Sequence, residues 1–546
     1  MIVAKRNFIL GLLCALFLSG CHKDEAVAYI QHLKQSGFTY CEPGYIKTFN
    51  PQMVDSGITV DTLSVQLFNR LLDFDPASLT PVPSLAKKWT ISQDKKVYTF
   101  TLREDVSFHT TPWFTPTRHL NAQDVVFSFN RILDKNNPYH DVSGGKYPWF
   151  ESMGLTQLIS RVTAIDNTHV AFTLTHPDNT FLANIATRYA IISSLEYAQQ
   201  RLAEKQSLKY DQFPVGTGPF KFASYKPNSE IRLIRNDQYW KEKAKMQQVV
   251  INTSPFGLGG YIKVIAGDCD IITKVNTSHL KLLQSNDNLT IKRQEGINLA
   301  YLAINTQHPL LKYQKVRQAI NLAINKTNIL KSVYLGSATI TDTVLSPFSW
   351  AYLPEESSSL PTQRLIYAKK LLNSVNLPLK PLHLWYSPVP QNYNPNPEKM
   401  AELIQADLEK IGLSIILHSG IPQHRSRQNK KLPLDLVLTG WQPNTNEPNS
   451  FFNPLLTCAA VKGGLNYSQW CDYLFDLNVY LSQLATKPTE QQHYFNQMQG
   501  ILRNQLPLIP IAHGMQLEVS NNSITGIRIG PFGILDFTSI YRRNEK

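Results

Sequence analysis

The side chains with the most chemistry to offer are the cysteines. There are six: Cys14 and Cys21 near the start, then Cys41, Cys269, Cys458 and Cys471. No Cys-x-x-Cys or Cys/His spacing joins them, so no zinc ligand set is expected. In an oxidising compartment the last four read as two disulfides. Four cysteines allow three pairings, and the sequence alone does not choose. The close pair Cys458 and Cys471 suits a local clip, which would leave Cys41 and Cys269 to close a long loop. Catalytic spacings are missing elsewhere. There is no His-Glu-x-x-His, no Gly-x-Ser-x-Gly and no phosphate loop, the patterns that place a metal, a nucleophile or backbone N–H groups against a phosphate. Gly144-Gly145-Lys146 is followed by Tyr147 rather than a hydroxyl residue, and Pro219 removes an N–H from Gly216-Thr217-Gly218-Pro219-Phe220. The latter reads as a tight turn entering a strand. The 14 histidines are scattered. No cofactor is expected, and an enzyme is the least favoured class.

Elements able to position a site alternate along the chain. Tyr98, Phe100 and Leu102 alternate with Thr99 and Thr101, a half-buried strand. Val316, Ile320, Ala323 and Ile324 recur at helical spacing. The clearest helix runs from Glu398 to Ile411, with Met400, Leu403, Ile404, Leu408 and Ile411 on one face. Asn396 can cap it, Pro397 suits its first position and Gly412 can end it. Leu413–Leu417 and Leu434–Thr439 follow as strand candidates. Tyr393-Asn394-Pro395-Asn396-Pro397 is a rigid turn able to present side chains to a cleft. Glu355–Ser359 and Pro422–Lys431 read as surface loops. Strand and helix units in this order argue for α/β lobes.

The first 20 residues read as an export signal: Lys5 and Arg6, then an apolar run from Phe8 to Leu18 that is too short to span a bilayer. Leu18-Ser19-Gly20-Cys21 has the form of a lipobox, making Cys21 a lipid attachment point. No later segment is apolar enough for a transmembrane helix. The formal net charge is +13, and loss of Lys5 and Arg6 with the signal lowers it by two. No run of five Lys/Arg occurs, so the excess reads as a solvated basic surface and no specific nucleic-acid binding is expected. At 546 residues the chain exceeds one core.

Several segments, in order, resemble the bacterial extracellular solute-binding proteins of the peptide/nickel family. They are Cys41–Gln52 with Phe49-Asn50-Pro51-Gln52, Pro214–Phe220, Asn305-Thr306 with Val316–Ile320, and Leu438-Thr439-Gly440-Trp441 followed by Pro448 and Phe451-Phe452. Phe108–Arg118, Asp124–Ser128 and Pro531–Phe537 are similar to a peptide-transport branch of that family linked to antimicrobial-peptide resistance. The resemblance implies a two-lobed α/β periplasmic-binding-protein fold, class II in type, in its three-subdomain peptide-binder variant, with a hinge and an interlobe cleft. It implies residues 21–296 with 514–546 as lobe I, about 75–205 as an inserted subdomain, and 297–513 as lobe II. It implies pairing of Cys458 with Cys471 and of Cys41 with Cys269. The function implied is that of a monomeric periplasmic substrate-binding subunit of an ABC importer. It would capture peptides by lobe closure and deliver them to an inner-membrane permease and ATPase. Haem, also associated with this group, a polyamine or an acidic polymer is the alternative cargo.

The resemblance places Gly57, Gln391, Tyr393, Gly440, Trp441 and Asn444 at the ligand. Two of these depart from the dipeptide binders. Those proteins hold the ligand's α-amino group with an Asp three residues after Gly-Trp, where this chain has Asn444. They hold the α-carboxylate with an Arg two residues before Tyr-Asn-Pro-Asn, where this chain has Gln391. A charge-assisted pair is roughly twice as strong as a neutral hydrogen bond, so both termini lose their strongest anchor. Glu447 is the nearest acidic substitute. Plain dipeptides are therefore expected to bind no better than micromolar; titration calorimetry showing submicromolar affinity would refute this.

Overall fold

The computed structural model describes residues 33, 35–254, 259–347, 349–354, 361–420, 432–463, 465–485, 487–530 and 532–543. The signal segment, Cys21, Glu355–Ser359 and Pro422–Lys431 lie outside them. Among the described residues no helix is long and apolar enough to cross a membrane.

One mixed sheet of twelve strands runs through the molecule. Its order is Ile415–Ser419, Leu382–Tyr386, Leu436–Trp441, Leu299–Ile304, Leu508–Asn521, Ile271–Ile272, Gly37–Pro43, Gln248–Ser254, Glu230–Arg235 and Phe220–Lys226. Leu289–Glu295 and Ala338–Ile340 also pair with the 14-residue strand Leu508–Asn521. That strand is the spine. Its first part pairs with Leu299–Ile304, from Leu508↔Ala303 to Ala512↔Ala300. Its second part pairs with Leu289–Glu295, from Met515↔Glu295 to Asn521↔Leu289. Partners therefore change at Gly514, and one continuous backbone carries the chain from one half of the sheet to the other.

Leu299–Ile304 shows how sequence sets this layering. Every residue is buried, as expected for a strand covered on both faces. Side chains alternate between faces. Ala300, Leu302 and Ile304 join a core with Val316 and Ile320 of the helix Gln314–Ala323 and Met400, Ile404 and Leu408 of the helix Pro397–Glu409. Leu299, Tyr301 and Ala303 face the other way, into the largest core. That core also holds a separate four-stranded antiparallel sheet of Ala86–Ile91, Val97–Leu102, His169–Leu174 and Ile159–Ala164. Tyr98, Phe100 and Leu102 are buried there, as their alternation predicts.

The helix expected at 398–411 forms as Pro397–Glu409, with Asn396 Oδ1 accepting from Lys399 N at 3.2 Å. It stops two residues short of Ile411. Gly412 takes φ +95° and Leu413 N donates to Leu408 O at 3.1 Å, so the closing turn consumes Lys410–Leu413. The strand after it begins two residues late for the same reason, at Ile415, and the strand expected from Leu434 begins at Leu436. Gly216 and Gly218 enter the strand Phe220–Lys226, but neither adopts positive φ. Their lack of a side chain serves close approach instead: a Cβ on Gly216 would collide with the Leu67 backbone and the Phe68 ring, and one on Gly218 with the backbone of Gln66 and Leu67.

Cys41 is bonded to Cys269 across 228 residues, and Cys458 to Cys471 across 13. The longer loop constrains the unfolded chain more. Replacing Cys41 and Cys269 together by Ala should lower unfolding free energy by about 2–4 kcal/mol, and more than the matching change at Cys458 and Cys471; urea titration of the two variants compares them.

Candidate functional site

Between the two parts of the sheet lies a cavity of about 570 Å³. Its wall includes Gly57, Gln391, Tyr393, Gly440, Trp441 and Asn444, the six residues singled out from sequence. They arrive on different elements. Gly57, at φ +90°, opens the turn before Thr59–Leu63, and its carbonyl accepts from Val60 N at 2.9 Å and Asp61 N at 2.8 Å. Gln391 and Asn394 pair backbone to backbone at 2.9 Å in both directions, closing the turn that carries Tyr393. The Tyr334 hydroxyl fixes that turn by donating to Tyr393 O at 2.6 Å. Gly440 and Trp441 end the strand Leu436–Trp441. A Cβ at Gly440 would strike the Tyr393 ring, so glycine there lets the ring lie flat against the strand. Trp441 is both wall and core: it is 8% exposed, packs in the largest core and donates Nε1–H to Ser450 O at 2.8 Å.

Buried charges that local sequence did not reveal occupy the same wall. Arg188 donates Nε–H to Asn444 Oδ1, Nη1 to Asp61 Oδ1 at 3.2 Å and Nη2 to Phe532 O at 3.2 Å. Asp61 Oδ2 accepts from Lys274 Nζ at 2.9 Å, and Lys274 also pairs with Glu42 Oε1 at 2.8 Å. The four charges alternate in sign: Arg188, Asp61, Lys274, Glu42. Burial opposes the charge on Asp61, but Lys274 and then Arg188 outweigh it and hold the carboxyl below its usual range. Burial likewise opposes the Lys274 ammonium, yet Asp61 and Glu42 hold its pKa above the lysine range. Lys274 sits at φ +53°, a conformation that costs a non-glycine residue about 1–3 kcal/mol and persists where surroundings demand it.

A third carboxylate, Glu518, accepts from Thr273 Oγ1 at 2.8 Å and Gln516 Nε2 at 3.1 Å. Burial pushes its pKa up to about 8 against those hydrogen bonds, and Glu42 adds to the rise. Glu447 is not part of the cavity wall; burial and then the Asp178 charge raise its pKa to about 7. Its segment turns toward the helix Asn449–Leu456 instead, with its carbonyl accepting from Ser450 Oγ at 2.6 Å. Among the described residues no cluster of three or more His, Cys, Asp or Glu could hold a metal ion.

The chain matches the family model described as bacterial extracellular solute-binding proteins, family 5 Middle, over residues 80–463. It is 37% identical over 535 residues, 97% of each chain, to a probable ABC transporter periplasmic-binding protein, SapA, of Escherichia coli K12. It is 36% identical over 502 residues, 92% of this chain and 94% of the relative, to the dipeptide-binding protein of the same organism. Among solved structures, the dipeptide binding protein of Pseudoalteromonas sp. SM9913 in complex with Met-Leu superposes with a TM-score of 0.87 at 37% identity, covering 93% of this chain and 100% of that one.

Glu518 gives the site a pH signature. The folded protein keeps this proton up to about pH 8, whereas the unfolded chain releases it near the ordinary glutamate value of about 4.3. The unfolded state thus binds fewer protons across that window, and stability falls as pH rises. The Glu518→Gln variant should lose this fall, up to about 1.4 kcal/mol per pH unit. Urea unfolding of both proteins at pH 5 and pH 8 measures it; parallel changes in the two would show that Glu518 is ionised in the folded state.

Proposed function

We infer from one premise, that this chain belongs to the bacterial extracellular solute-binding proteins of family 5, that its cavity captures a peptide-like ligand in the periplasm. It then delivers that ligand to an inner-membrane ABC permease and its ATPase. The observation that carries this reading is the cavity of about 570 Å³, walled by residues from both parts of one continuous sheet. Its size falls within the range of small-ligand sites, about 300–1,000 Å³, which suits a short peptide. The work is binding by closure, with no bond made or broken.

The lobes follow the sheet: residues 21–296 with 514–546 as lobe I, about 75–205 inserted into it, and 297–513 as lobe II. The exchange of strand partners at Gly514 supports a hinge there. Contacts between the halves support a closed state. The helix Pro148–Ser152 packs on Cys458–Gly463. Asn179 also reaches the end of the helix Tyr473–Leu484, with its backbone N donating to Gln483 O at 3.1 Å and Nδ2 to Ser482 O at 3.0 Å. Domain closure of this kind is a recurring transition. Gly57, Gln391, Tyr393, Gly440, Trp441 and Asn444 would contact the guest, the protein would act as a monomer, and lipid on Cys21 would tether it.

Protein isolated from its own periplasm should retain short peptides, seen by native mass spectrometry as a family of masses released on unfolding. A haem absorbance band, or turnover of peptide esters, would overturn the reading.

A further inference from the structure

Two long stretches of the chain contain no carboxylate. Between Glu295 and Asp342, and again between Glu356 and Glu398, no Asp or Glu occurs. Each stretch contributes one helix to the same surface, Gln314–Ala323 from the first and Pro361–Asn373 from the second. The two lie side by side, and Arg364 Nη2 donates to Asn321 O at 3.3 Å between them. The second helix buries Ala368 and Leu372 in the core beneath it, so its outward face should be polar. Instead Ile366 is 68% exposed and Tyr367 57%, with Lys370 one turn further on and Lys369 beside it, both exposed. Lys315 is exposed on the neighbouring helix. Just before it, Lys312 Nζ stands 5.3 Å from the centre of the exposed Tyr313 ring. Among the described residues none of Lys315, Arg364, Lys369 and Lys370 is ion-paired. The helices Pro397–Glu409 and Pro488–Gln505 also pack on Gln314–Ala323. Their carboxylates are engaged elsewhere, Glu402 with Lys399, Asp407 with Lys410 and Glu490 with Lys487, or stand at the two ends of Pro397–Glu409, as Glu398 and Glu409 do.

A single exposed apolar side chain needs no explanation. Two adjacent ones, ringed by cations on a face without an anion, suit a partner that offers negative charge and apolar matter together. An anionic bilayer is such a partner, with phosphates outermost and acyl chains just beneath. The Tyr ring has an apolar body and a polar tip, which fits that boundary. Each Lys or Arg near the surface adds to the attraction. An acidic protein could match the charge, but it would also need hollows shaped for side chains that project from an outward helix face. Fluid lipid needs no matching shape. A periplasmic location puts such a surface within reach. We propose that the joint face of these two helices docks on an anionic lipid surface, with Ile366 and Tyr367 at headgroup depth and Lys315, Arg364, Lys369 and Lys370 against the phosphates. This contact is separate from the cavity and from any acyl chain on Cys21.

The test is co-sedimentation of the mature protein with vesicles. The protein carries Cys21→Ser, so that no acyl chain contributes. One set of vesicles is phosphatidylcholine alone, and the other is phosphatidylcholine mixed with phosphatidylglycerol. The expected result is about ten-fold stronger partitioning onto the mixed vesicles, lost when salt is raised from about 0.1 M to about 0.5 M. A Lys369→Glu, Lys370→Glu variant should lose about ten-fold of that binding. A Lys243→Glu, Lys245→Glu variant changes the net charge equally at exposed positions of a different surface and should bind like the parent. An Ile366→Ser, Tyr367→Ser variant keeps every charge and should also bind less. All the changed side chains are exposed, and thermal melts run beside the parent confirm that the variants are folded. Equal partitioning onto the two kinds of vesicle overturns the proposal, and so does binding by the Lys369→Glu, Lys370→Glu variant that matches the Lys243→Glu, Lys245→Glu one. Undiminished binding by the Ile366→Ser, Tyr367→Ser variant overturns it as well, because the attraction would then be that of a charged protein and not of this face.

Discussion

The structure around the cavity depends on one buried guanidinium having all its partners. Arg188 is held by Asp61 from the N-terminal part of the chain, by Asn444 from 256 residues further on and by the carbonyl of Phe532 near the C-terminus. Removing one partner of a buried ion pair is expensive, about 3–5 kcal/mol, because the other charge is left without compensation. Arg188 therefore fixes where three distant stretches of chain meet. The ladder it begins is balanced, two cations against Asp61 and Glu42. Glu518 is a third carboxylate beside it, and burial, with the Glu42 charge adding, raises its pKa to about 8.

Much of the frame could be read from local pattern. The Asn396-Pro397 start of a helix, the alternation at Tyr98–Leu102 and the apolar spacing at Val316–Ile324 each follow from steric and packing rules that act within a few residues. The turn at Gly412 was legible as a helix end but not in its length, which is why the next strand starts at Ile415, later than its apolar run suggests. The glycines of Gly216-Thr217-Gly218 were recognisable as special, but their reason was not. Only the fold shows Gln66 and Leu67 pressed against them.

The charge ladder had no such signature. Glu42, Asp61, Arg188 and Lys274 are scattered over more than 200 residues, and each alone resembles an ordinary solvated side chain. Nothing in spacing marks them, because their proximity is made by the sheet. Gly37–Pro43 brings Glu42, Ile271–Ile272 leads to Lys274, and the turn after Gly57 brings Asp61. The amide replacements at Gln391 and Asn444 were visible by resemblance, yet their meaning changes once Arg188 is seen. An amide beside bulk water is merely weaker than a carboxylate. An amide whose oxygen accepts from a buried guanidinium is held in one orientation, oxygen toward the cation.

That distinction ties recognition to the fold. The Arg188–Asn444 hydrogen bond joins positions 256 residues apart, and the Asn179–Ser482 bond joins positions 303 apart. Such bonds form only where tertiary structure has brought the segments together, so the polarity of the cavity wall and the closeness of its sides are set by the same contacts. A guest's polar group left unsatisfied against that wall costs most where water is excluded, and a charge held there is felt more strongly in the lower-dielectric space.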